Sequence, residues 1–427
     1  MTSPETVPAA RRYRVGFLET HPIQYKAPWF RALAAEPWLE ATVFYCMQPD
    51  ARQQGAEFGV AFSWDVPLLD GYRYQVLRNV ARRPDVTTFR GCDTPCIRDI
   101  VRRGPAATTP GSNRTARRRW DAFVVNGWRV TSAWQTLLAC RRCGVPVIVR
   151  GESNNLRPRA AWKRLVHRAL LRQYAAVLAI GRLNRAFYLE RGVSENRIFC
   201  GPYCVDNERF ARAAGDARWR RAALRRRWSI PESAFCFLFS GKLIPKKRPL
   251  DLLQALAVLP GAAGGGPTPG VHALVVGDGP LREACEARVA QGRLPATFAG
   301  FLNQSEMPEA YAADDCLVLP SDWGETWGLV VNEAMACGLP AVVSDQVGCH
   351  ADLVEPGRTG WVYACGQAAE LADRMARAAA DPAQARAMGA EAANHVRAYS
   401  VGRLVQGTAE AVRFVAGEGV APGVAPT

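Results

Sequence analysis

The chain has 427 residues, too many for one ordinary hydrophobic core, and its length predicts two domains of roughly 200 residues each. A hydrophobic content of 48% with 22% charged residues is typical of a globular protein and excludes an intrinsically disordered one, while the net charge is +15. No apolar run reaches the roughly 18–20 residues of a membrane-spanning helix, and the N-terminal residues lack the pattern of a signal peptide, so we expect a cytoplasmic protein.

The positive charge is concentrated in the first half of the chain. Residues 150–227 contain nineteen Lys or Arg against six acids, and residues 98–119 contain seven Arg against one acid. This excess fits an anionic membrane surface, an anionic acceptor or a solvated basic face. Peripheral association with the inner face of a membrane is therefore one expectation. Nucleic acid is a further alternative, although no basic motif interleaved with aromatic residues supports it.

The thirteen cysteines are scattered and mostly lie in apolar runs, which predicts buried, reduced thiols. Cys140 and Cys143 have the spacing of a redox motif, but they end a predicted helix rather than begin one. Their arrangement indicates no zinc site, so we expect no metal.

Short apolar runs alternate with helical patterns along the chain, and this alternation predicts parallel sheets covered by helices on both faces. Two such series predict two doubly wound α/β domains. The predicted strands lie near residues 14–18, 40–46, 122–126 and 146–150, and then near 235–240, 272–277, 296–300, 316–319 and 341–344. The predicted division is a first domain at 1–205, a linker and hinge at 206–233 and a second domain at 234–395. A mobile insertion is expected at 104–119, a flexible loop at 261–270 and a disordered tail at 417–427.

The segment from Cys316 to Ser344 has the pattern of a binding site at a strand end. An apolar strand ends at Pro320, a polar loop with two glycines follows, and a helix begins near Leu329. Helix N-termini at the carboxyl ends of parallel strands suit a diphosphate. Glu325 on the loop and Glu333 in the helix could contact the hydroxyl groups of one extended ligand.

A second strand end carries a cluster of cations. Gly241 and Lys242 follow an apolar strand, and Lys247 comes five residues after Lys242. No Asp-x-Asp motif occurs in the sequence, which argues against a metal-bridged diphosphate and indicates that lysines balance its charge.

These motifs together resemble the family 4 retaining glycosyltransferases, whose GT-B fold has two Rossmann-like domains facing across a cleft. Six segments show the resemblance. In the second half of the chain they are Glu325 to Glu333 with the following Ala-Met-Ala-Cys-Gly-Leu-Pro, Gly241-Lys-Leu, Val275-Val-Gly-Asp-Gly-Pro and Phe298-Ala-Gly-Phe-Leu. In the first half they are Pro202-Tyr-Cys-Val-Asp and His21-Pro-Ile-Gln-Tyr. The resemblance covers most of the chain and is weakest at about 50–120. It implies that a helix at 396–416 returns to the first domain.

The resemblance also implies roles for individual residues and no cofactor, since the family is metal-independent and uses the nucleotide-sugar as substrate. Lys242 and Lys247 would bind the diphosphate, with Gly241 shaping the turn that carries them. Glu325 would contact the donor sugar and Glu333 the ribose. The remaining implied contacts are the backbone amides near Gly328 and Leu329 for phosphate, and Phe301 and Leu302 for the base.

The acceptor side departs from the family pattern. Many members carry a His before the cleft where this chain reads Arg-Gly-Glu152-Ser153, and either residue is a candidate for the donor-sugar contact. A salt bridge with an arginine is the alternative for Glu152. The segment that contains His21 stands where the family has a glycine-rich loop. His21 could line the acceptor side or could equally be an ordinary loop histidine. Asn126 either lines the acceptor site or forms a turn.

The sequence therefore predicts a retaining, metal-independent transfer of sugar from a UDP- or GDP-sugar to a hydroxyl acceptor, such as a cell-surface polysaccharide or glycolipid precursor. A nucleotide-sugar hydrolase or epimerase on the same scaffold is an alternative. A dehydrogenase would require an intact Gly-x-Gly-x-x-Gly motif. A non-catalytic membrane- or nucleic-acid-binding protein is supported only by the basic half.

Overall fold

The computed structural model describes residues 11–55, 58–105, 119–259 and 270–419. The insertion predicted at 104–119, the loop predicted at 261–270 and the tail predicted at 417–427 lie almost entirely outside these residues. Their predicted mobility stays a prediction.

The first sheet contains seven parallel strands in the order β3-β2-β1-β4-β5-β6-β7. They are β1 (Tyr13–Glu19), β2 (Leu39–Tyr45), β3 (Tyr74–Val76), β4 (Ala122–Val125), β5 (Val147–Val149), β6 (Ala176–Ala179) and β7 (Ile198–Cys200). The order reverses between β1 and β4, where Leu18 pairs with Val125. This reversal leaves a crevice at the carboxyl ends of the strands.

The second sheet has six parallel strands in the order β10-β9-β8-β11-β12-β13. They are β8 (Phe235–Ser240), β9 (Val271–Val276), β10 (Ala296–Gly300), β11 (Cys316–Leu319), β12 (Ala341–Ser344) and β13 (Gly360–Tyr363). Every residue of β8, β9, β11 and β12 is buried, as the continuous apolar runs predict for strands covered on both faces. The order reverses between β8 and β11.

Helices cover both faces of each sheet. Those of the first domain are α1 (Ala27–Ala35), α2 (Ala51–Gly55), α3 (Ile97–Arg103), α4 (Thr131–Cys143), α5 (Ala161–Leu171) and α6 (Arg182–Glu190). Those of the second domain are α7 (Asn207–Arg218), α8 (Arg221–Arg227), α9 (Pro249–Leu256), α10 (Arg282–Gly292), α11 (Met307–Ala313), α12 (Leu329–Ala336), α13 (His350–Leu353), α14 (Ala368–Ala380) and α15 (Pro382–His395). The last helix, α16 (Val401–Val415), packs against α1, β6 and β7 of the first domain.

Local sequence explains where several helices begin and end. Asp206, Asp381 and Ser400 accept hydrogen bonds from backbone N–H groups in the first turns of α7, α15 and α16. Gly144 ends α4 in the left-handed conformation that favours glycine.

Two hydrophobic cores lie on opposite faces of each sheet. In the first domain, Phe17 and Leu404 belong to one core, and Leu18 and Phe187 to the other. Consecutive residues of β1 therefore point to opposite faces. The predicted fold class, two doubly wound Rossmann-like domains facing across a cleft, is confirmed.

The segment 206–233 forms α7 and α8, which pack on α11 and α12 of the second domain. Phe210 and Leu224 are buried in the core that also holds Leu317 and Val331. The hinge function proposed for this segment stays a prediction.

All thirteen cysteines are free; ten are buried and three are half-buried. None of the helices in the described ranges combines the length and apolarity needed to cross a bilayer.

Candidate active site

A cavity of about 660 Å³ lies between the two sheets, where their strand orders reverse. Eleven of the thirteen residues predicted for the site line it. They are His21, Glu152, Gly241, Lys242, Lys247, Phe301, Leu302, Glu325, Gly328, Leu329 and Glu333. Because the carboxyl ends of β1, β4, β8 and β11 point toward one cleft, residues distant in sequence meet there.

An ion pair joins the two strand ends of the second domain. Lys247, in a 3₁₀ turn that follows β8, contacts the Glu325 carboxylate on the loop between β11 and α12. Burial alone would raise the pKa of Glu325, but the charges of Lys247, Lys246 and Lys242 outweigh it and hold that pKa below its usual value. Glu325 is therefore ionised at neutral pH, inside a strongly positive corner of the cavity.

Two backbone hydrogen bonds hold the loop that carries Glu325. The Glu325 N–H donates to the Asp322 carbonyl at 2.9 Å, and the Glu325 carbonyl accepts from the Gly348 N–H at 3.0 Å. These bonds fix the position of the carboxylate before any ligand binds.

The N-terminus of α12 opens into the cavity. Gly328 precedes the helix at a φ of +103°, and a Cβ there would lie 2.9 Å from a Leu319 methyl group, so glycine is required. Gly328 has no side chain that could cap this end, and Gly328, Leu329 and Val330 line the cavity. The end of the helix thus supplies N–H groups and a positive dipole suited to an anion.

Glu333 lies one turn into α12 and is 1% exposed. Its Oε2 accepts a hydrogen bond of 2.6 Å from the Tyr311 hydroxyl, and its buried Oε1 receives no hydrogen bond of good geometry from the described residues. Burial raises the pKa of Glu333 despite the hydrogen bond from Tyr311. A buried acceptor of this kind is suited to a hydroxyl donor on a ligand.

Tyr25, from the loop after β1, reaches Glu333 from the other domain. Burial and the Glu333 charge raise the pKa of the Tyr25 hydroxyl well above its usual value. Glu333 is therefore contacted from both sides of the cleft.

Aromatic side chains form the wall of the cavity beyond the lysines. Phe301 and Leu302 follow β10, as predicted, and Phe301 packs against Phe58, Phe62 and Trp64 of the first domain. The Phe62 and Phe301 ring centroids are 4.2 Å apart, and the Lys242 ammonium lies 5.0 Å from the Phe58 ring centroid. We call residues 58–65 the cross-cleft segment.

The cross-cleft segment is fixed to the second domain by hydrogen bonds. Asn303 Nδ2 donates to the Ser63 carbonyl at 2.8 Å. The Asp65 carboxylate accepts from the Ser305 N–H at 3.2 Å and from the Ser305 hydroxyl. The segment therefore closes the cleft beside Phe301.

Glu152 bridges the domains, and none of the arginines in the described ranges forms an ion pair with it. Tyr203 donates its hydroxyl to Oε1, and Thr326 Oγ1 donates to Oε2 at 3.1 Å. Thr326 is the residue after Glu325, so Glu152 also positions the loop that carries the ion pair.

His21 lines the cavity with its ring hydrogen-bonded to Thr20 Oγ1 at 2.9 Å. Burial and the charges of Lys26 and Lys242 lower the pKa of His21 to about 4. Its imidazole is therefore neutral at physiological pH and is available as a neutral hydrogen-bonding group.

Asn126 and Ser153 do not line the cavity. Asn126 Nδ2 donates to the buried Glu19 carboxylate at 2.9 Å, and Glu19 also pairs with Lys26 at 2.6 Å. The Ser153 carbonyl accepts from Asn184 Nδ2 at 2.6 Å. Both residues therefore form hydrogen bonds within the first domain instead of facing the cavity.

Several residues that line the cavity were not predicted from the sequence, including Tyr25, Phe58, Trp64, Gln304 and Thr326. The three aromatic residues within 58–64 are the signal that could have identified the cross-cleft segment. Across the described ranges, no group of three or more His, Cys, Asp or Glu side chains is placed to hold a metal ion.

Residues 220–395 match the family model described as "Glycosyl transferases group 1". The chain is 31% identical over 284 residues to the 2-deoxystreptamine glucosyltransferase of Streptomyces kanamyceticus, an alignment covering 62% of this chain and 70% of that protein. It is 34% identical over 241 residues to a GDP-mannose-dependent alpha-mannosyltransferase of Mycobacterium tuberculosis, covering 54% of this chain and 57% of the relative.

Solved structures share the whole fold. Anabaena HepE in complex with UDP and glucose aligns over 94% of this chain and 100% of its own, with a TM-score of 0.67 and 19% identity. A glycosyltransferase from Rickettsia africae aligns over 95% of this chain and 98% of its own, with a TM-score of 0.70 and 13% identity. At these identities the likeness concerns the fold alone.

Proposed function

Because this chain belongs to the glycosyl transferases group 1 family, we propose that it transfers a sugar from a nucleoside-diphosphate sugar to a hydroxyl acceptor, retaining the anomeric configuration without a metal ion. The Glu325 to Glu333 motif supports the narrower assignment to family 4. A relative named for GDP-mannose and a fold neighbour bound to UDP and glucose support a nucleoside-diphosphate sugar as the donor.

The observation that carries this proposal is the convergence of the Lys247–Glu325 pair with the open N-terminus of α12. The donor diphosphate would lie between Lys242, Lys247 and the amides at Gly328 and Leu329. Lysine ammonium groups and a helix N-terminus together offset the negative charge of a diphosphate. As Lys247 engages the diphosphate, Glu325 becomes available to the donor sugar next to it.

The remaining parts of the donor follow the cavity outward from the diphosphate. The buried Oε1 of Glu333, which receives no hydrogen bond of good geometry from the described residues, would accept a ribose hydroxyl. The base would then lie beside Phe301 and Leu302, against the aromatic wall that includes the cross-cleft segment.

Retention follows if the acceptor attacks from the face that the diphosphate leaves. As the bond to the anomeric carbon breaks, negative charge grows on the leaving diphosphate, and the lysines and helix-end amides stabilise it more strongly. The leaving phosphate oxygen would take the proton of the attacking hydroxyl. Glu152, already bonded to Tyr203 and Thr326, would position the loop rather than form a covalent intermediate.

The acceptor enters on the first-domain side, past neutral His21. A polysaccharide or glycolipid precursor at the inner face of the membrane is the acceptor class that the basic first half of the chain favours.

A donor panel tests the proposal directly. Thermal unfolding is measured with UDP-, GDP- and ADP-sugars, and each stabilising donor is then incubated with and without candidate acceptors. Glycosylated product with retained configuration supports the proposal. Donor consumption at an equal rate without acceptor would instead identify a nucleotide-sugar hydrolase.

Metal independence has its own test. Because lysines and the helix end supply the positive charge, the initial rate should be the same in EDTA as in added Mg²⁺ or Mn²⁺. Full loss of transfer in EDTA, restored by either ion, would contradict this part of the proposal.

A further inference from the structure

Helix α5 carries an apolar stripe on its outward face. Trp162, Leu165 and Val166 are 61%, 70% and 50% exposed, and Ala169 is exposed as well. These residues stand at positions i, i+3, i+4 and i+7, so they share one side of the helix. A stripe with this spacing ordinarily faces a core, whereas here it faces solvent.

The last turn of α5 is packed into the first domain. Leu170 and Leu171 are buried in the core, and the His167 ring lies 5.6 Å from the Phe187 ring centroid. The helix is therefore anchored at its C-terminal end, while the stripe before it leaves three large apolar side chains unshielded from water.

Cationic side chains surround the stripe: Lys163 and Arg168 flank it on its two sides, and Arg164 lies farther round the helix. Lys163, Arg164, Arg168 and Arg172 are all exposed on or just after α5. Residues 153–189 contain eight Lys or Arg and no Asp or Glu. A helix surface with a Trp-containing apolar stripe between cations suits the boundary between lipid headgroups and acyl chains of an anionic bilayer.

We propose that the outward face of α5 docks this protein on an anionic lipid surface. Trp162, Leu165 and Val166 insert among the headgroups, and the flanking cations pair with lipid phosphates. An apolar protein partner would need the stripe but would not need cations around it without any acidic residue among them. The charge pattern therefore favours an anionic lipid surface.

The segment that leads into α5 contacts the loop that carries Glu325. Arg157, just before α5, lies 4.7 Å from the ring centroid of Trp323 on the loop that carries Glu325, and Trp323 is itself 37% exposed. Resting on the proposed function, this placement would bring a lipid-linked acceptor next to the donor site.

Vesicle sedimentation of the full chain tests the docking surface. The protein should bind vesicles of phosphatidylcholine with about 30% phosphatidylglycerol and should bind phosphatidylcholine alone weakly, with binding falling as salt rises. Combining Trp162→Ser, Leu165→Ser and Val166→Ser should lower partitioning at least about tenfold. The matched control is Trp219→Ser, which removes a tryptophan that is 81% exposed between α7 and α8 and should leave binding unchanged.

The electrostatic part has a separate comparison. Lys163→Glu, Arg164→Glu and Arg168→Glu together should abolish binding to the anionic vesicles, since each lost cation lowers partitioning roughly fivefold. The same number of reversals at exposed Arg288, Arg377 and Arg386 of the second domain should have a much smaller effect.

Two results would overturn the proposal. One is unchanged vesicle binding by the α5 variants, with or without a loss in Trp219→Ser. The other is a wild-type dimer that the α5 apolar variant converts to monomer, with no vesicle binding by either, which would assign the stripe to a second copy of the chain. Nucleoside diphosphate binding and thermal unfolding confirm that each variant is folded, and neither readout depends on transfer activity.

Discussion

The contact between Lys247 and Glu325 sets the electrostatics of the donor site. Each side chain is only 12–15% exposed, so the pair is shielded from salt and from competing water. The three nearby lysines exceed the one carboxylate in charge, and the corner stays positive when the pair is formed. In the proposed function, an incoming diphosphate would therefore compete with Glu325 for Lys247 rather than meet a neutralised site.

Replacing Glu325 with Gln should separate binding from transfer. We expect kcat to fall roughly 10²- to 10³-fold because the carboxylate at the reacting sugar is lost. The affinity for UDP or GDP should hold or rise, because Lys247 no longer pairs with a carboxylate. Steady-state kinetics and calorimetry measure the two effects, and Asp322→Asn on the same loop should leave both nearly unchanged. Transfer by Glu325→Gln at the wild-type rate would remove this residue from the mechanism.

Lys247→Ala should weaken binding of the diphosphate. Loss of a charge-assisted phosphate contact is expected to lower the affinity for UDP or GDP by about ten- to a hundredfold, with little change for the uncharged nucleoside. Exposed Lys246 is the matched control, and Lys246→Ala should have a smaller effect. Equal losses for nucleoside and nucleoside diphosphate would argue against the phosphate role.

At the residue scale, sequence could predict the positions that one short segment places together. Glu325, Gly328 and Glu333 lie on a single loop and helix, so their spacing alone brings them to one strand end. Tyr25 and Trp64 reach the same cavity only because two domains close on each other, and no local pattern encodes that approach.

At the scale of elements, the sequence predicted nine of the thirteen strands in the described ranges, including the three-residue β5. It missed β6, β7 and β13, which have only three or four residues, although β6 and β7 are fully buried. All three residues of β3 are exposed, so this edge strand has no apolar signature. All four strands that flank the two strand-order reversals, β1 and β4 and then β8 and β11, were predicted.

The cross-cleft segment adds a wall that neither sheet could supply. It brings Phe58 and Trp64 from the first domain against Phe301 of the second, and Asp65 holds it there through Ser305. If the base binds beside Phe301 as proposed, its binding is linked to closure of the two domains.

Asp65→Ala should loosen this wall. Loss of hydrogen bonds at a partly exposed site is expected to raise the dissociation constants of nucleoside and nucleoside diphosphate alike, by roughly two- to tenfold. The equal effect on both ligands distinguishes it from Lys247→Ala. Competition binding measures it, with the exposed Asp70→Ala as control. An effect confined to the diphosphate would show that the segment acts on the lysines and not on the base.

At the scale of the molecule, the two domains also share hydrogen bonds away from the cavity. The Asp352 carboxylate, on α13 of the second domain, accepts the Arg182 N–H at 3.0 Å and the Tyr399 hydroxyl at 3.2 Å. Arg182 is the first residue of α6 in the first domain, so Asp352 caps a helix across the domain boundary. Gly181 makes the approach feasible, since a Cβ there would lie 2.4 Å from the Trp327 ring.

This cross-domain cap predicts coupled unfolding. Asp352→Ala should lower the free energy of unfolding by about 1–2 kcal/mol, the usual cost of losing a helix cap. It should also separate the two domains into resolved thermal transitions, whereas the wild-type chain should unfold in one. Asp381→Ala removes a cap that lies wholly within the second domain, at the start of α15, and should cost a similar free energy while leaving a single transition. Calorimetry of the three proteins decides the matter: if Asp352→Ala and Asp381→Ala unfold alike, the Asp352 contact stabilises its surroundings without coupling the domains.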